Sequence, residues 1–176
     1  MRYSIGIATA ALFCLLPSAL SCAHGGQSEV SGRVWSYSDM AGSAGDIVIA
    51  AGVGKASIGH VAVTGEFCNA TQPFACFEVA GISFAVPQKL SGTKLPTSWT
   101  HKGRTYTASQ SPRRLVVFGH TFDVVEIRLA SSDPAMRFLY SLERGLLGIQ
   151  GESNELTPFF VIQQQCGFAA PMACYD

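Results

Sequence analysis

The chain has 176 residues, is 48% hydrophobic and 14% charged, and balances 12 Lys and Arg against 12 Asp and Glu for a formal net charge of zero. With no net charge, no global field points to nucleic acid or to a membrane surface. The length suits one domain large enough to bury a core.

Residues 1–23 read as an export leader. Arg2 gives a basic start, residues 5–16 form an apolar run shorter than the about 20 residues of a membrane span, and Pro17 ends it. Ser21, Cys22 and Ala23 put small residues where signal peptidase cuts, so residues 24–176 are expected as the mature domain, periplasmic or secreted. A rival reading makes Cys22 a lipidated amino terminus, which would give an outer-membrane lipoprotein with peripheral membrane association.

The mature part opens with strand-like alternation around Val30, Val34, Trp35 and Tyr37. Residues 46–54 are a β-branched run ending in glycines. The "GVGKAS" at its end fails as a phosphate loop, because the first motif glycine would fall on Ile49 and Ala56 follows Lys55; a glycine-rich turn is expected. Residues 58–68 read as one strand, with Val61, Val63 and Phe67 on one face and His60, Ala62 and Thr64 on the other. Residues 76–86 read as another strand, stopped at Pro87. Residues 99–108 form a hairpin turning at Lys102-Gly103, and residues 114–130 are β-rich with Gly119 as a break or bulge.

Residues 132–147 carry two signals. Asp133, Pro134 and Gly145 would cap, start and stop a helix, whereas Met136, Phe138 and Tyr140 alternate onto one strand face. A hairpin is favoured, because the flanking segments are β and sequential strands tend to pair. Residues 157–166 supply a closing strand. The sum is about nine short strands and little helix, a mainly β chain predicted to fold as a single antiparallel sandwich or small barrel.

Two loops repeat one pattern: "CNATQPFACFE" from Cys68 and "CGFAAPMACYD" from Cys166. After export, Cys68, Cys76, Cys166 and Cys174 make an even set in an oxidising compartment, which argues for two disulfides. Closing a nine-residue ring removes about 2.6 kcal/mol of unfolded-chain freedom, and a bridge between the loops about 4.7. The repeated spacing, with Pro73 and Pro171 at matching places, favours local pairing, Cys68 with Cys76 and Cys166 with Cys174. Structural zinc sites space paired cysteines more closely, so no metal or other cofactor is expected from this pattern. Asn69-Ala70-Thr71 is a glycosylation sequon, treated as incidental behind this type of leader.

Candidate catalytic groups are sparse. His120 and Glu126 would share a strand face about 20 Å apart, with Asp123 opposite, so the three make no compact site. His60 and His101 have no spacing that ties them to His120. Charge is more informative. Residues 79–122 contain no acid, yet hold Lys89, Lys94, Lys102, Arg104, Arg113 and Arg114, with His101, Trp99 and Tyr106 among them. The expected function is a binding module, of inhibitor or immunity type, whose basic face (Trp99, His101, Lys102, Arg104, Tyr106, Arg113 and Arg114) meets an acidic protein or an anionic envelope component. Nucleic acid fits the compartment poorly. The rival is a small envelope hydrolase or carbohydrate-active enzyme using His60, His101 or His120.

Overall fold

Three dipeptides ending in glycine set much of the topology. Ala80-Gly81, Lys102-Gly103 and Phe118-Gly119 each have two successive positive φ angles, 46° and 84°, 48° and 74°, and 48° and 81°. This is the signature of the tight hairpin turn whose twist matches that of the strands it joins. The computed structural model describes residues 33–42, 44–90, 94–130, 135–152 and 159–174. The leader, Cys22, Val30, Asp133 and Pro134 lie outside the described residues.

Fourteen strands occupy the described residues: β1 (Val34–Asp39), β2 (Ile47–Ala50), β3 (Lys55–Ile58), β4 (Val61–Thr64), β5 (Glu66–Phe67), β6 (Phe74–Val79), β7 (Ile82–Pro87), β8 (Ser98–His101), β9 (Arg104–Ala108), β10 (Arg113–Val117), β11 (His120–Leu129), β12 (Ala135–Ser141), β13 (Gly145–Glu152) and β14 (Phe159–Ile162). Short 3-10 turns at Ala51–Val53 and Met172–Cys174 complete the described elements. Eleven strands form one antiparallel sheet in the order β4-β3-β2-β1-β14-β13-β12-β11-β9-β8, with β10 also paired to β11. The other three form a small sheet, β5-β6-β7.

The small sheet is the filling. Ser83, Phe84, Ala85 and Val86 of β7 are all buried, although successive side chains point to opposite faces. Phe84 packs on Phe138 and Tyr140 of β12, with ring centroids 5.1 and 6.2 Å away. Its neighbour Ser83 shares a 3.0 Å hydrogen bond with the Tyr106 hydroxyl of β9. Both faces of β7 therefore meet the large sheet, which must curve around it. The core is strongly aromatic, and each such ring pair adds about 0.5–1.5 kcal/mol to simple burial.

The expected mainly β, antiparallel class and both local disulfides are present, Cys68–Cys76 and Cys166–Cys174. Residues 135–152 form the favoured hairpin, with Met136, Phe138 and Tyr140 on its buried face. Other expectations need correction. There are fourteen strands among the described residues rather than nine. Residues 76–86 are two strands folded at Ala80-Gly81, whereas the break expected at Gly119 is present, as the hairpin turn between β10 and β11. Residues 58–68 are split: β3 ends at Ile58, β4 spans Val61–Thr64, and Gly65 separates β4 from β5. A Cβ on Gly65 would come within 2.7 Å of the Phe67 ring and 2.8 Å of Val79, so a larger residue there would displace both side chains.

Candidate functional site

The basic segment folds into two hairpins whose cations are largely matched by acids from elsewhere. Lys102 Nζ lies 2.6 Å from Glu66 Oε2, Arg104 Nη2 lies 2.7 Å from Glu78 Oε1, and Arg113 Nη1 lies 3.0 Å from Glu126 Oε2. The hydrogen bond from Arg104, against the opposing effect of burial, holds the Glu78 carboxyl below its ordinary pKa. Trp99 and Tyr106 face each other across β8 and β9 and stack at 5.8 Å. Trp99 donates from Nε1 to the Ala85 carbonyl at 3.0 Å, and burial pushes the Tyr106 phenol up. Both aromatics are core residues, not members of an exposed face. Arg114 is exposed.

An uneven charge balance lies on the neighbouring strands. Glu126 is only 6% exposed, yet it receives Arg113 and, at 2.5 Å, the Nε of Arg128. Arg128 and Arg137 stand directly opposite each other on β11 and β12, an arrangement of like charges that is unfavourable without an acid between them. Burial pushes the Glu126 carboxyl up. Arg128, by hydrogen bond and charge, then Arg137 by charge and Arg113 by hydrogen bond, outweigh this and hold it below its ordinary value. Arg113 and Arg128 thus share one carboxylate, and Arg137 acts on it by charge.

The two disulfide loops meet across one cleft. A cavity of about 420 Å³ is lined by Cys68, Ala70 and Ala75 from the first loop and by Phe168, Ala169, Ala170 and Pro171 from the second, with Trp35 and Val86 beneath and Arg33 and Gln88 as polar groups. Each loop is fastened independently of its sulfurs. In the first, the Cys68 amide donates to the Cys76 carbonyl at 3.1 Å, and the Gln88 amide to Pro73 at 2.9 Å. In the second, the Leu146 amide donates to Phe168 at 2.8 Å and the Gly167 amide to Arg144 at 2.7 Å. Gly167 passes so close to β13 that a Cβ there would lie 1.8 Å from the Leu146 carbonyl oxygen. Phe168 meets Trp35 edge-on at 5.2 Å, which joins the second loop to the cleft floor. The result is a largely apolar hollow with rigid walls, of a size that suits a small molecule.

The three histidines among the described residues stand on three separate hairpins. His60 is exposed in the turn between β3 and β4, and His120 is exposed at the start of β11 beside Phe122. His101 is half-buried against Phe74, and burial followed by the charge of Lys102 lowers its pKa. Neither the cleft nor the arginine group could be found from spacing. The cleft joins loops far apart in sequence, and Arg128 and Arg137 lie outside the acid-free run. No family model, curated protein or solved structure matches this chain.

Proposed function

We propose that the protein is an exported binding module that takes a small apolar or amphiphilic molecule, such as an acyl chain, between its two disulfide loops. The observation that carries this reading is the shared cavity of about 420 Å³, with small side chains from both loops on its walls and Trp35 on its floor. Alanines leave the space open, and two stapled rings keep it from collapsing. Such preorganisation lowers the ordering cost of binding. Export is part of the same reading, since disulfides persist in oxidising compartments; among the described residues no helix is long and apolar enough to cross a membrane.

The test is titration with a brominated fatty acid, which quenches indole fluorescence at contact range. Quenching that survives Trp99→Phe, where Trp35 is the remaining one of the chain's two indoles, and that is lost in Ala170→Leu, which narrows the cleft, supports the reading. Wild-type protein with no quenching at saturating acid overturns it.

A second reading rests on Arg113 and Arg128 sharing the one carboxylate of Glu126. Arg113 and Arg128 side chains are 68% and 58% exposed, so one carboxylate leaves positive charge facing solvent. We propose that this face meets an acidic protein or an anionic envelope component; Arg114, next to Arg113 on β10 and opposite Asp123, lies on the other side of the sheet. Capture of such a partner should weaken with salt, as screening shortens to about 3 Å at 1 M. Binding that ignores both salt and the Arg113→Ala, Arg128→Ala double change would remove it.

A further inference from the structure

The first disulfide differs from the second in what stands beside it. The donor atoms of Cys68, Cys76 and His101 all lie within 4.8 Å of one another. His101 Nε2 is 3.8 Å from Cys68 Sγ. Around a tetrahedral zinc, with Zn–S near 2.3 Å and Zn–N near 2.0–2.1 Å, a sulfur and a nitrogen ligand stand roughly 3.6 Å apart. The imidazole is therefore already at ligand spacing from Cys68, while the two sulfurs are bonded to each other. At the second disulfide the neighbour is Arg144, whose Nη1 lies 3.5 Å from Cys174 Sγ. A guanidinium cannot ligate and repels a cation.

The three donors are held by bonds that do not depend on the disulfide. Cys68 is tied to Cys76 by its amide hydrogen bond of 3.1 Å, and Cys76 is paired with Ala85 inside the small sheet. His101 ends β8, paired with Arg104, and its ring is packed 4.9 Å from Phe74. The nearby ammonium of Lys102 is engaged by Glu66. Opening the sulfur–sulfur bond would leave the three groups adjacent.

We propose that Cys68, Cys76 and His101 form a redox-gated site for zinc or another borderline-soft divalent cation, closed while the disulfide stands and open once it is reduced. A dithiol reductant supplies two electrons and two protons; the protein disulfide breaks into two thiols, and the reductant leaves as its own disulfide. Metal binding then releases both thiol protons to solvent, so that two thiolates and a neutral imidazole bind the ion and water takes the fourth position. The wide spacing of the two cysteines is no obstacle, because a hairpin rather than a short knuckle brings them together, and the third ligand comes from another sheet.

The test is Co²⁺ titration of the full chain under anaerobic conditions, before and after reduction with a water-soluble phosphine, with folding followed by circular dichroism. Reduced protein should show thiolate-to-cobalt charge-transfer absorption that Zn²⁺ abolishes, and oxidised protein should show none. His101→Ala should weaken Co²⁺ at least about tenfold, the scale of losing a metal-site partner. The signal should survive Cys166→Ser with Cys174→Ser and vanish in Cys68→Ser. If reduction loosens the fold, recovery of the native spectrum on adding metal supports the site, and failure to recover overturns it. Equal affinities in wild type and His101→Ala, or equal signals in oxidised and reduced protein, also overturn it.

Discussion

The Tyr37 hydroxyl and the Phe168 backbone are coupled through one oxygen: Tyr37 accepts from the Phe168 amide at 3.1 Å while donating to the Leu146 carbonyl at 3.1 Å. Tyr37 is fully buried, so removing that oxygen leaves two backbone groups short of a partner. Tyr37→Phe should lower stability by about 1–3 kcal/mol, measured by urea unfolding. It should also raise amide exchange at Phe168 before it affects exchange in β6 or β7.

Glu126 supplies an acid-sensitive contact. Its carboxyl pKa is held down in the folded chain, chiefly by Arg128 working against burial. A depressed folded pKa adds stability above the unfolded carboxyl value of about 4.3, and that contribution is lost as pH falls through the folded value. Glu126→Gln should therefore be less stable than wild type at pH 7, by about 1–3 kcal/mol for lost charged hydrogen bonds. The difference should narrow as both are taken to acid. A gap that widened in acid would contradict the arrangement.

Trp99 tests the place of the aromatic pair. Its indole is buried and bonded to Ala85, so Trp99→Ala should cost about 3–5 kcal/mol. The result is read as a fall in denaturant midpoint with unchanged slope. An unchanged midpoint would mean that the indole lies outside the core.

Gly167→Ala should be among the most damaging single changes, because the added carbon would meet the Leu146 carbonyl oxygen at 1.8 Å. Destabilisation beyond about 4 kcal/mol is the range expected of such a backbone collision. Gly81→Ala meets nothing within 4 Å and suffers only from its φ of 84°, so it is the milder comparison. Similar melting temperatures for the two variants would refute the close approach.

Local cystine pairing has a direct readout. After proteolysis between residues 77 and 165, the two cysteine loops should run as unlinked fragments without reductant, since each disulfide closes within eight positions. Fragments that stay joined until reduced would show a bridge between the loops.

What could be read from the chain was whatever one segment decides alone. Alternation at Met136, Phe138 and Tyr140 outweighed the capping residues because a buried face requires that period, and the Lys102-Gly103 turn was marked by its glycine. Ala80-Gly81 was missed because alanine carries no turn preference of its own and strand pairing imposes its positive φ; at Phe118-Gly119 the break was legible but not its hairpin geometry. Charge was misjudged for a related reason. An acid-free run of sequence is not an acid-free surface when Glu66, Glu78 and Glu126 are brought to it by neighbouring strands. The repeat of the cysteine loops was visible, but their meeting across a cleft depends on the whole sheet.

The order of strands also sets an order of assembly. Most neighbours in the large sheet are neighbours in the chain, whereas β1 joins β14, with Tyr37 opposite Ile162. Hairpins close within about 1–10 μs, and a contact between distant segments must wait for the chain between them to organise. In pulse-labelled refolding, amides of the β12–β13 hairpin should be protected early and those joining β1 to β14 late. Trp35 lies on β1 and Phe168 just beyond β14, so the hollow between the two loops comes into being only when that seam closes. A half-folded chain would carry both rings and still have no pocket.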